Sequence, residues 1–167
     1  MDDGDRPGHR GQPRTEAERE ARQAEEERAR LMGGADCPPT CEFPRSAIDN
    51  PESALSDRTI YFEFDASTVQ DEYMDIIQRH AAYLAQYPNI EVRVEGHADE
   101  RGSREYNIGL GARRADSVSR LLQVNGASNT QIETVSYGEE VPAVEGHNES
   151  AWSKNRRVEL VYPSVSN

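Results

Sequence analysis

Lysine is almost missing from this chain: Lys154 is the only one among 19 basic residues, so nearly all positive charge is arginine. Arginine's planar fork suits carboxylates, although composition alone can produce such a bias. Long apolar runs are also missing, and nothing approaches the length needed to cross a membrane. Only 35% of the residues are hydrophobic and the mean hydropathy is -0.89, so part of the chain is expected outside any core. Positive charge is in deficit. A net charge of -12 argues against nucleic acid as a partner, since affinity there comes from cations on phosphate, and against docking on an anionic membrane surface. Cysteine is scarce: Cys37 and Cys41 flank Pro38-Pro39-Thr40, and two thiols cannot fill a zinc site by themselves. A small disulfide loop in an oxidising compartment and a pair of free thiols are equally open readings. No signal peptide precedes Asp2, Asp3 and Asp5, which fits either a cytosolic protein or the mature part of an exported one.

What is there is ample for one domain and too short for two of ordinary size, at 167 residues. Residues 1–58 read as a charged, flexible tail and linker. Within it Thr15 to Met32 is rich in helix formers, but its only large apolar residues are Leu31 and Met32. That favours a solvated, marginal helix with nothing to bury, with a partner-binding helix as the alternative reading. Gly33-Gly34 and the prolines up to Pro51 then read as linker. From Thr59 the pattern changes. Ile60, Phe62 and Phe64 alternate as a strand, a helix is predicted over 70–87 with Pro88 as its stop, and Ile90, Val92 and Val94 alternate again. A polar turn leads to a second helix over 103–125, closed by Gly126. Strands follow at 132–137 and 158–162, with a short turn expected at 150–155. The domain is therefore placed at 59–162, with a C-terminal tail at 163–167. The fold class is α/β, an α+β sandwich in β-α-β-α-β-β order. A mixed four-stranded sheet carries its helices mainly on one face.

The second helix holds an arginine among its apolar residues. At about 100° per residue, Asn107, Leu110, Arg114, Val118 and Leu121 share one stripe. A guanidinium there must find an anion or carbonyls, or it costs several kcal/mol of desolvation. The turn before this helix, Gly96-His97-Ala98-Asp99-Glu100-Arg101-Gly102, ends where free N–H groups and the helix dipole favour an anion. Asp99 and Arg114 either pair with each other or stand apart, one taking a ligand ammonium and the other a carboxylate, with Asn107 supplementing either. Gly111 leaves room for a ligand or for close helix packing. A metal hydrolase can be sketched from His97, Asp99 and His147, but no HExxH and no glycine-flanked serine supports it. No metal, cofactor or catalytic residue is expected, and the protein is read as a non-enzyme.

These residues carry a resemblance. Ile60 to Asp65, Val94 to Gly102, Glu105-Tyr106-Asn107 and Leu110 to Ala115 resemble the OmpA-like peptidoglycan-binding domain. Val135 to Glu140, Gly146-His147 and Ala151 to Leu160 resemble that family's branch of wall-associated lipoproteins of the Tol–Pal system. The resemblance implies a periplasmic, outer-membrane-associated anchor bound non-covalently to peptidoglycan through diaminopimelate. It implies Asp99 for the ligand ammonium and Arg114 for its carboxylate, with Asp65, Asn107, His97, Ala98, Glu100 and Leu110 as further contacts. It implies the Tol propeller protein (TolB) as a partner on an overlapping surface, and leaves TolA open as another. The family's acylated cysteine follows a lipobox, which is not found here: Cys37 follows Gly34-Ala35-Asp36, a poor acylation site. The lipid anchor is thus inferred from the family and not from these residues. Two functions stay open: wall anchoring, and a protein–protein module for which wall binding is secondary.

Overall fold

The computed structural model describes residues 15–163; the expectations for Met1–Pro13 and for the tail beyond Pro163 lie outside them. Helix α1, Glu16–Leu31, is capped by Thr15, whose Oγ accepts from the Glu18 N–H at 3.0 Å. Its one buried residue is Leu31, as the missing apolar stripe predicts. The α/β unit follows as β1 (Thr59–Tyr61), α2 (Met74–Gln86), β2 (Val92–His97), α3 (Arg104–Val124), β3 (Ile132–Gly138), α4 (Glu149–Asn155) and β4 (Arg157–Val161). The expected β-α-β-α-β-β order holds, with the turn expected near 150 winding into the short α4.

The sheet order is β1-β4-β2-β3. Strand β2 runs parallel to β3, as the α3 crossover requires, and β4 lies antiparallel between β1 and β2. Alternation decides the faces. Ile60, Val92, Val94, Val158 and Leu160 are buried in one core with Ile77 and Leu84 of α2 and Val118 and Leu122 of α3. The residues between them, Tyr61, Arg93, Glu95, Glu159 and Val161, are only partly covered, and Arg93 and Glu95 pair at 2.7 Å. His80 of α2 is fully buried between the Tyr162 hydroxyl (2.6 Å) and the Asp57 carbonyl (2.8 Å), and desolvation drives its pKa down to about 4.

The packed unit begins well before Thr59, which corrects the boundary expected from sequence. Phe43, Ala47, Ile48, Ala54 and Leu55 are buried in the same core as the sheet. The backbone of Phe43 exchanges hydrogen bonds with the Gln86 amide, and the Tyr83 and Tyr87 hydroxyls donate to the Arg45 and Phe43 carbonyls. The apolar residues of this segment are spaced irregularly among prolines, so they show no helix or strand period, yet a single-turn 3-10 helix at Arg45–Asp49 aims Ala47 and Ile48 inward. Cys37 and Cys41 are joined as a disulfide beside Phe43, which resolves the open question of their state.

Candidate functional site

A cavity of about 220 Å³ opens where the β1–α2 loop, the β2–α3 loop and the first turns of α3 meet. Its walls are Phe64 and Asp65 from the first, Asp99 and Arg101 from the second, and Tyr106, Asn107 and Leu110 from α3. The chain reaches these positions for local reasons. Ser103 caps α3 by accepting from the Tyr106 N–H at 3.1 Å, and Gly102 turns at φ 103°, a conformation that favours glycine. Asp65 also sits in the left-handed region, at φ 56°, with its Oδ1 accepting from the Tyr106 hydroxyl. A non-glycine residue held there is strained, and such strain clusters at ligand sites.

Behind the cavity lies Arg114, fully buried. Its Nε donates to the Ala66 carbonyl at 2.8 Å, Nη1 to the His97 carbonyl at 2.8 Å and Nη2 to the Glu63 carbonyl at 3.2 Å. Its guanidinium also rests 5.3 Å from the centre of the Phe62 ring. Of the two outcomes foreseen for a guanidinium on that face, carbonyls win. Desolvation lowers its pKa to about 10, with the charge of Asp99 opposing. The Glu63 and Ala66 carbonyls belong to the β1–α2 loop and His97 ends β2 where the β2–α3 loop begins, so one side chain from α3 ties the two together.

Asp99 is 5% exposed and does not bond Arg114. Arg101 grips it instead: the Arg101 backbone N–H and Nε donate to Oδ1 at 3.0 and 3.2 Å, and Nη2 donates to Oδ2 at 2.8 Å. Arg156 stands 3.6 Å from the same carboxylate, while itself donating to the Phe62 carbonyl and to Glu149. Burial pushes the Asp99 carboxyl up, but the Arg101 bonds and the arginine charges outweigh it and hold it below the ordinary carboxylate value. Asn107 is also buried, its amide donating to Glu139 at 2.9 Å.

The other expected contacts divide. Ala98 and Glu100 face a second cavity of about 260 Å³, lined also by Glu139, Pro142, His147 and Asn155. His97 is 1% exposed with its ring stacked on Tyr137, so it serves the site through its carbonyl and not its ring. Gly111 settles as close packing: a Cβ there would overlap Ser136, and one on Gly96 would overlap the Gly111 carbonyl. The residues of the hydrolase sketch have separate partners, His147 bonding Glu100 at 2.6 Å, His97 approaching Glu159 and Asp99 bonding Arg101.

Comparison with known proteins matches residues 61–156, more than half of the chain, to the OmpA family. The chain belongs to the OmpA family. Its relatives include the peptidoglycan-associated lipoprotein of Pasteurella multocida, 54% identical over 104 residues that span 62% of this chain and 69% of the relative. The protein of the same name from Haemophilus influenzae is also 54% identical, over 62% of this chain and 68% of its own. The crystal structure of the peptidoglycan-associated lipoprotein from Burkholderia pseudomallei superposes with a TM-score of 0.68 at 44% identity, covering 69% of this chain and 98% of that one. Within this OmpA-family fold, sequence reasoning gave no role to Phe64, Arg101, Tyr106 or Trp152. Arg101 stands two residues after Asp99 in a turn, the spacing at which an aspartate bonds the backbone and side chain ahead of it. That spacing was the available signal.

Proposed function

We propose that this chain binds cell-wall peptidoglycan without transforming it, and that the cavity between Asp65, Asp99 and Asn107 holds the zwitterionic end of diaminopimelate in a stem peptide. The observation that carries the reading is the pairing of opposite charges at one small recess: Asp65 and Asp99 with Arg101 along its walls, and Arg114 sealed behind it. Such a recess offers acceptors to an ammonium and a positive field to a carboxylate a few ångströms away. Asn107 and Leu110 fit the stem between them. Arg114 acts from behind by holding the two loops in place, and it needs no direct bond to the ligand. The likeness to proteins named peptidoglycan-associated lipoproteins supports the reading, and with it a periplasmic place and a role in tying the outer membrane to the wall.

Lysine lacks the distal carboxylate of diaminopimelate. A lysine-type stem peptide would leave the positive side of the recess without its charge-assisted partner, a loss of about 2 kcal/mol or more, so affinity should fall roughly tenfold to a hundredfold. Titrating matched soluble stem peptides of both types measures this. Equal binding would sink the reading. A second reading, docking of the Tol propeller protein, draws on the exposed apolar side chains Phe64, Tyr106, Ile108, Val141 and Val144, each at least 37% exposed. Retention on isolated sacculi with and without that propeller protein separates the two, since a shared surface predicts competition.

A further inference from the structure

We propose that the Cys37–Cys41 disulfide is a site of reversible thiol–disulfide exchange with a dithiol reductant, and that reducing it frees α1 from the α/β unit while the sheet stays folded. Three observations lead there. First, α1 has little of its own to hold it: Leu31 is its one buried residue, and the Ser53 hydroxyl donates to the Leu31 carbonyl at 3.1 Å. Second, the chain reverses just after α1, and the bridge closes that reversal. The Gly34 N–H donates back to the Ala29 carbonyl at 2.9 Å, the Cys37 N–H to the Gly34 carbonyl at 3.3 Å and the Glu42 N–H to the Gly33 carbonyl at 3.0 Å. The packing is tight, since a Cβ on Gly33 would lie 2.6 Å from Cys37 Sγ and 2.7 Å from the Phe43 ring. The bridge thus sits between an exposed helix and the buried Phe43.

Third, both cysteines are only half-buried, so a small dithiol reaches the bridge without the domain opening. Residues 32–42 form turns and loop, so no ladder of backbone bonds holds them once the bridge is cut. The bridge is also remote from the peptidoglycan cavity. The Phe43 N–H bonds Gln86 at the C-terminal end of α2, whereas the cavity is walled by the loop that enters α2. In the exchange, one thiolate of the reductant attacks a bridge sulfur, the Cys37–Cys41 bond breaks and a mixed disulfide forms. The reductant's second thiolate then attacks its own sulfur in that mixed disulfide, closing the reductant's ring and expelling the remaining cysteine. The electron pair and the protons given up by the dithiol end on Cys37 and Cys41. Opening a loop this short returns chain entropy that favours the open segment by on the order of tenfold or more.

The test is limited trypsin digestion of the full chain, oxidised and after dithiothreitol without denaturant, with amide hydrogen exchange on the same samples. Free thiols are counted by the mass added with iodoacetamide. The reporter is the bond after Arg30, because it leads into the buried Leu31 and the Arg30 carbonyl accepts from the Gly33 N–H at 3.1 Å. Reduction should speed cleavage there, and exchange across residues 31–43, by roughly tenfold or more, with β2 and β4 unchanged. A Cys37→Ser/Cys41→Ser double variant should be cut like the reduced chain with or without reductant. A bridge that dithiothreitol leaves intact in the folded protein overturns the proposal. So does a reduced chain cut after Arg30 no faster than the oxidised one. Loss of protection in β2 and β4 together with residues 31–43 also overturns it, because the bridge would then staple the whole domain and not release α1 alone.

Discussion

Arg114 is the largest fully buried side chain of the domain, and every nitrogen of its guanidinium donates to a carbonyl. Removing it would take this donor from the Ala66 and His97 carbonyls, leave the Glu63 carbonyl only the Ala66 N–H, and open a void in the apolar face of α3. Each such group costs about 1–3 kcal/mol, so Arg114→Ala should destabilise the fold by roughly 3 kcal/mol or more. Arg114→Lys should rescue little, because a point charge cannot span three carbonyls. Urea denaturation checks both. A variant as stable as the original would mean that the two loops hold themselves. The helix period alone put Arg114 on the apolar stripe, but which acceptors it meets was not legible. Carbonyls from residues 63, 66 and 97 converge on it only after two loops fold over α3.

At the scale of the element, α3 is pressed onto β2 and β3 through glycines. A Cβ on Gly96 would overlap the Gly111 backbone carbonyl, and backbone cannot swing aside as a side chain can. Gly96→Ala should therefore cost about 1–3 kcal/mol or more by overpacking. Gly109 differs: a Cβ there would meet only the flexible tip of Arg113, at 3.4 Å. Gly109→Ala should stabilise α3 by roughly 0.5–1 kcal/mol through helix propensity. Thermal and urea unfolding of the pair should give opposite signs, and matching signs would refute the packing account. The strands and helices themselves follow from period and caps, such as Ser103 before α3. The tightness of the α3 contact does not, because a glycine in a sequence pattern marks room and close approach alike.

For the whole molecule, the segment from Leu31 to residue 58 contributes Leu31, Phe43, Ala47, Ile48, Ala54 and Leu55 to the core. Truncating the chain up to residue 30 removes, among the described residues 15–30, only exposed positions and should change stability little. Truncating 1–58 removes Phe43, Ile48 and Leu55, each at most 1% exposed, together with the bonds to Tyr83, Gln86 and Tyr87. At about 1.5–3 kcal/mol for each of these three large apolar side chains, the loss should be roughly 5–9 kcal/mol as an upper estimate. Comparing the melting temperatures of the two truncations checks it. Equal melting temperatures would show that the segment contributes nothing.

By itself the sequence determined the element order, the mixed sheet, the turn that carries Asp99 and the misplaced charge on α3. Each of these is written in local periodicity, capping residues and the cost of burying a guanidinium. Tertiary structure decided the rest. It paired Asp99 with Arg101 and not with Arg114, moved Ala98 and Glu100 to a neighbouring cavity, and drew residues 43–55 into the core. The physical reason is common to all three. A side chain's partner depends on which loop lies over it, and contacts between residues such as Phe64, Arg101 and Trp152 join segments that no periodicity connects.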